Sequence, residues 1–151
     1  MTGSTTSLTS AAISATIHCL TGCAIGEILG LVVATILGLG DVPSILVAIA
    51  PAFVFGYGLT IRPLLGAGLP FGRAVRAAVV ADTVSIGVME IVDSTVVVTV
   101  PGAMAAGLAD LLFWGSLAAS LVVAFIVALP VNRWLIARGL GHATIKHAHH
   151  G

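Results

Sequence analysis

Long apolar stretches, separated by short breaks rich in glycine, proline and charge, dominate the chain. Ile13 to Leu39 is the first, closed by Gly38-Leu39-Gly40-Asp41. Pro43 to Ile61 is the second, stopped by Arg62-Pro63. Ala74 to Val100 is the third, stopped by Pro101-Gly102, and Leu108 to Val131 is the fourth, ended by Asn132-Arg133. Each is long enough to cross ~30 Å of hydrocarbon at about 1.5 Å per residue. None alternates as a barrel strand would, and in lipid the backbone must satisfy its own polar groups, so the pattern predicts helices. The expected fold is an all-α polytopic membrane protein with four transmembrane helices in a bundle. Residues 1–12 read as an N-terminal cytoplasmic segment, 13–134 as the transmembrane domain and 135–151 as a His-rich cytoplasmic tail. Pro51 and Pro130 fall inside or at the end of spans, where neighbouring helices tolerate a kink.

Composition agrees with this pattern. Hydrophobic residues make up 58% of the chain, charged residues 8%, and the mean hydropathy is +1.17. Soluble domains carry roughly 25% charged residues, so a water-soluble enzyme is excluded, as is a disordered chain. Six basic residues balance six acidic ones with no basic patch, which argues against nucleic acid as a partner. The charges are nonetheless sorted. Arg62, Arg73 and Arg76 lie between spans two and three, and Arg133, Arg138 and Lys146 follow span four. The other two loops carry only Asp41 and Asp110. By the positive-inside rule, both termini and the middle loop face the cytoplasm of a bacterial inner membrane. Trp114 and Trp134, near opposite ends of span four, fit interfacial anchoring. Leu20-Thr21-Gly22-Cys23 imitates a lipoprotein cleavage box. No basic residue precedes it, however, and apolar sequence continues to Leu39, so lipidation and signal cleavage are not expected.

Polar side chains concentrate in spans one and three, and spans two and four read as nearly free of them. Span one carries His18, Cys19, Cys23 and Glu27; span three carries Asp82, Thr83, Ser85, Met89, Glu90 and Asp93. An ionisable group at the bilayer centre costs ~2.5–3.5 kcal/mol on insertion scales, and such groups face a bundle interior or a wet cavity. At about 100° per residue, Cys19, Cys23 and Glu27 form one stripe of span one, and His18, Gly22, Gly26 and Gly30 form the stripe beside it. Gly22-x-x-x-Gly26-x-x-x-Gly30 is a tandem small-residue motif for close helix approach. In span three, Asp82, Met89 and Asp93 lie within about 40° of one another, flanked by Ser85 and Glu90. Both spans run in the same direction. Measured from Ile13 and Arg76, Cys19 matches Asp82 in depth, and Glu27 matches Glu90 at ~21 Å along the axis. The simplest packing therefore sets the two polar faces together, where carboxylates share a proton or hold a cation between them.

The leading expectation is transition-metal binding, with transport or handling of copper; zinc is the other candidate ion. His18, Cys19, Cys23 and Met89 would supply soft ligands, with Glu27 beside them. Asp82, Ser85, Glu90 and Asp93 would line an ion pathway or support the ligands. His142, His147, His149 and His150 add a short tract able to collect metal ions. The second expectation is a proton or cation channel or transporter using the same carboxylates, with the cysteines as bystanders. A third is thiol redox chemistry with a quinone. Cys19 and Cys23 are the one available pair, and regular helix at i, i+4 does not favour the disulfide. A fourth is a non-catalytic membrane subunit, with the glycine stripe as an assembly face and a second copy or a membrane partner against it. There are plainer readings too: buried cysteine and methionine often serve only as packing, and a histidine tail can be a solvated end. Nothing places Ser, His and Asp together as a catalytic triad.

The segments Ala15-Thr16-Ile17-His18-Cys19-Leu20-Thr21-Gly22-Cys23-Ala24-Ile25-Gly26-Glu27 and Ala81-Asp82-Thr83-Val84-Ser85-Ile86-Gly87-Val88-Met89-Glu90-Ile91-Val92-Asp93 carry a further signal, joined by Phe53-Val54-Phe55-Gly56-Tyr57 and Pro130-Val131-Asn132-Arg133-Trp134. In these segments the chain resembles a family of small bacterial four-helix membrane proteins catalogued as a domain of unknown function. The likeness runs from about Ala15 to Gly141. It implies four membrane helices and leaves the chemistry to the residues above.

Overall fold

The structure, a computed structural model, describes residues 2–139. His142, Lys146, His147, His149 and His150, with the tail's proposed metal-collecting tract, lie outside the described residues. The described chain is all helix and turn. Helix α1 spans Thr2–Leu37, α2 Asp41–Gly66, α3 Phe71–Thr99 and α4 Leu111–Ala137, with a short 3-10 turn at Ala103–Ala105 before α4.

The apolar runs became helices as expected, but the ends moved. Helix α1 begins at Thr2 and absorbs most of the segment expected to precede the first span. Hydroxyls there bond back to their own helix, as when Thr9 Oγ1 donates to the Thr5 carbonyl at 3.0 Å, so polar residues do not stop the helix. Helix α2 passes through Arg62-Pro63 to Gly66. Helix α4 passes Asn132-Arg133 to Ala137. The turns after α1, α2 and α4 use left-handed glycine, whereas α3 ends in extended Val100. Gly38 (φ 61) closes α1 with the Leu39 N–H on the Ala34 carbonyl at 2.9 Å. Gly68 (φ 87) follows α2 with the Leu69 N–H on the Leu64 carbonyl at 3.1 Å. Both are Schellman closures, which satisfy carbonyls that the helix end leaves open.

Helices α1, α2 and α4 are long and apolar enough to cross a membrane. Helix α3, expected as the third span, is not among them, because Asp82, Glu90 and Asp93 lie too densely along it. Those residues are buried all the same, with Asp82 at 1% exposure, Glu90 at 6% and Asp93 at 5%. The bundle is inside out relative to a soluble protein: Ile36, Leu46, Val54, Ile91, Leu111 and Ile126 are exposed, while polar and small residues fill the interior.

Small side chains set the packing. Helix α1 packs most extensively on α2 and also on α4; α3 packs on α4 and α2, and α1 and α3 face each other across the diagonal. Along α1–α2 the glycine stripe meets a matching stripe. A Cβ added at Gly22 would stand 2.8 Å from Gly56 Cα, one at Gly26 would stand 2.5 Å from Ala52 Cα, and one at Gly30 would stand 2.5 Å from Ala48 Cβ. This corrects the idea of an assembly face, because the stripe is covered within the chain. In α4, Ser116, Ser120, Ala124, Ala128 and Asn132 recur every fourth residue, and all are buried. Apolar lipid gives helices no hydrophobic reason to associate, so close backbone contact and interhelical hydrogen bonds do that work.

Candidate functional site

Rotation about α1 divides its polar residues between two neighbours. The Cys19–Cys23–Glu27 stripe faces α3, and the Gly22–Gly26–Gly30 stripe faces α2. His18 belongs to the second stripe. It is exposed, with its Nδ1 3.1 Å from the Ser14 carbonyl oxygen, and it stands apart from the cysteines. Cys19 and Cys23 are free and buried, and they share one core cluster with Met89, Ile86, Ala52, Ala124 and Ala128. Three sulfur atoms and two diagonal helices therefore meet at the centre of the bundle.

The structure places carboxyl groups beside the α1 stripe at two levels. At the lower level the Cys19 thiol points to Asp82 Oδ1, with Sγ 4.0 Å away, and Ser85 lies beside Cys19. Thr60 of α2 lies beside Asp82. At the upper level Glu27 lies beside Asp93 and Glu90, and Glu90 also lies beside Cys23. One oxygen on each of these carboxyl groups, Glu27 Oε1, Glu90 Oε1 and Asp93 Oδ1, is buried with no hydrogen-bond partner. Buried polar atoms are nearly always paired, so three unpaired carboxyl oxygens in one place are unusual.

The upper cluster lines a cleft of about 110 Å³. Its walls come from the C-terminal half of α1, the start of α2, the end of α3, the 3-10 turn and the start of α4, so it lies toward the bundle end that carries Asp41 and Asp110. Arg62, Arg73, Arg76, Arg133 and Arg138 all lie toward the other end. Toward that basic end, Asn132 Nδ2 donates to Thr16 Oγ1 at 2.9 Å, and Thr16 Oγ1 donates to the Ala12 carbonyl at 2.7 Å; both residues are buried. Polar groups thus recur from the cleft through Cys23, Cys19 and Asp82 to Asn132.

Several of these residues escaped the sequence reading, which took spans two and four as nearly free of polar side chains. Thr60, Ser116, Ser120 and Asn132 are buried. The four-residue spacing of Ser116, Ser120, Ala124, Ala128 and Asn132 was the signal that placed them on one inward face. Among the described residues, no group of three or more His, Cys, Asp and Glu side chains is arranged to hold a metal ion.

Fold and site together define a small helical membrane protein with carboxyl groups in its interior. A family model described as a domain of unknown function, DUF4396, matches residues 10–141, and the chain belongs to that family. No curated protein and no solved structure matches the chain.

Proposed function

We propose that the protein binds a cation, the proton included, at an intramembrane carboxylate cluster and passes it across the membrane. The observation that carries this reading is the trio Glu27, Glu90 and Asp93, each with an unpaired buried oxygen, at one cleft. Helix α3 then also crosses, giving four spans in all, because its acidic face turns to the bundle interior and its exposed face, with Val80, Val84, Ile91 and Val98, meets lipid. With both termini and the Arg62–Arg76 loop in the cytoplasm of the bacterial inner membrane, the cleft opens on the outer side. Asp82, Cys19 and Thr60 are the next polar station inward, and Cys23 and Met89 separate the two stations. Flux into liposomes tests this. The wild-type protein is expected to carry protons or alkali cations, and Glu90→Gln and Glu27→Gln are expected to lose that flux while remaining folded. Equal flux from wild type, variants and empty liposomes would overturn the reading.

A second reading keeps a soft metal, copper or zinc, as the ion handled. It is supported by the gathering of Cys19, Cys23 and Met89 in one buried cluster. Thiolate and thioether sulfur suit Cu(I). His18 stands outside that cluster, so the ligand set on this reading is sulfur with Glu90 or Asp82 beside it. Elemental mass spectrometry of purified protein tests it: stoichiometric copper or zinc that disappears in a Cys19→Ser, Cys23→Ser double variant would support a sulfur site, and its absence after loading under reducing conditions would refute one.

A further inference from the structure

The cleft at Glu27, Glu90 and Asp93 has more space and more apolar wall than an inorganic ion needs. About 10–15 Å³ suffices for one water, and the cleft offers about 110 Å³. Hard metal ions take six or more oxygen ligands. Here the carboxylates occupy one part of the lining, while Leu31, Ile45, Val97, Met104, Phe113 and Leu117 make up much of the rest. Ligand sites for organic molecules have this composition, with apolar walls and a few placed polar groups.

Among the polar side chains lining the cleft, the carboxyl groups, Ser44 and Ser116 favour positive charge, and Ser94 adds a further hydroxyl. Glu90 and Asp93 are 6% and 5% exposed, both line the cleft, and each has a buried oxygen with no hydrogen-bond partner. Ser44 donates its hydroxyl proton to the Gly40 carbonyl at 2.7 Å, and Ser116 donates to the Leu112 carbonyl at 2.7 Å, so both present oxygen lone pairs to their surroundings. No Lys, Arg or His is among the described residues lining the cleft. Phe113 is held edge-on to Trp114, with ring centroids 5.2 Å apart at 79°, and an aromatic ring adds cation–π attraction.

From this geometry we infer that the cleft binds an amphipathic organic cation, an ammonium group carrying an apolar body, with the charge at Glu90 and Asp93 and the body against Phe113 and Met104. The inference rests on the proposed cation reading of the same carboxylates and names the class of cation. Isothermal titration of the full-length protein in lipid nanodiscs, with benzyltrimethylammonium as probe and sodium, manganese and neutral neopentylbenzene as comparisons, tests it. Saturable binding of benzyltrimethylammonium is expected, with none of neopentylbenzene. Glu90→Gln, or Asp93→Asn if that variant fails to fold, is expected to weaken it tenfold or more, and Phe113→Ala about threefold to tenfold. Binding or flux of sodium, manganese or protons without binding of the organic cation overturns the inference and leaves the cation pathway standing. Organic-cation binding unchanged by Glu90→Gln, Asp93→Asn and Phe113→Ala also overturns it, since the site then lies elsewhere. No binding and no flux of any cation overturns both.

Discussion

The closest helix contact gives the sharpest stability prediction. Gly26→Ala adds one methyl group where a Cβ would stand 2.5 Å from Ala52 Cα. Ordinary contact of this kind begins at 3.4 Å, so α1 and α2 must separate by roughly 1 Å if overpacking is relieved by backbone shift. The neighbouring contacts at Gly22 and Gly30 open with it, because the three glycines share one stripe. Overpacking of this kind costs about 1–3 kcal/mol. Alanine's helix propensity offsets up to about 1 kcal/mol in water, and less in lipid, where the separated helices remain helical. A net loss of about 1–2 kcal/mol follows. The assay is reversible unfolding in mixed micelles with rising dodecyl sulfate, read by tryptophan fluorescence. Gly58→Ala and Gly87→Ala are the controls, because a Cβ there meets nothing within 4 Å. A Gly26→Ala protein as stable as these controls would refute the close-packed α1–α2 interface.

Three further outcomes are expected. Asn132→Ala and Thr16→Ala each remove one side of the buried 2.9 Å hydrogen bond, and a double-mutant cycle in the same unfolding assay should give a coupling of about 0.6–1.7 kcal/mol; a coupling near zero would show that the bond contributes nothing. His18→Ala should leave stability, flux and any metal content unchanged, since the ring is exposed and bonds only the Ser14 carbonyl of its own helix; loss of copper or zinc in that variant would bring His18 back into the site. Ile91→Lys on the exposed side of α3 should impair membrane insertion by about 2.5–3.5 kcal/mol if that face meets lipid, measured as the inserted fraction in a translocation assay; normal insertion would contradict α3 as a span.

The sequence made the helices legible because apolar runs this long have no other stable form in lipid. It also made the pairing of α1 with α3 legible. Cys19 with Asp82, and Glu27 with Glu90, follow from helical rotation and equal depth, and the structure sets each pair side by side; that Asp93 also stands beside Glu27 was not foreseen. Helix ends were less legible. Asn132 looks like a stop because it is polar and precedes Arg133, yet its amide is spent on Thr16 inside the bundle. The partner of the glycine stripe was also hidden, because a small-residue ridge shows that something approaches closely and not what does. Ala48, Ala52 and Gly56 at the same four-residue spacing supply the answer. His18 stands apart from the cysteines for a geometric reason. It lies one residue from Cys19, and a rotation of about 100° turns it from the α3-facing stripe to the other. The cleft could not be foreseen, since its wall includes the 3-10 turn and Phe113, which no periodicity connects to Glu27.

On the proposed function, Glu27, Glu90 and Asp93 exchange a proton or cation with solution through the cleft. The most direct measurement is modification of the membrane-embedded protein by a lipophilic carbodiimide, which reacts with protonated carboxyl groups, read residue by residue by peptide mass spectrometry. Modification is expected at Glu90 or its two carboxyl neighbours, slowing when pH is raised or when a bound cation, benzyltrimethylammonium included, is added. Carboxyl groups that stay unmodified, or that react at a rate indifferent to pH and to every cation, would contradict it.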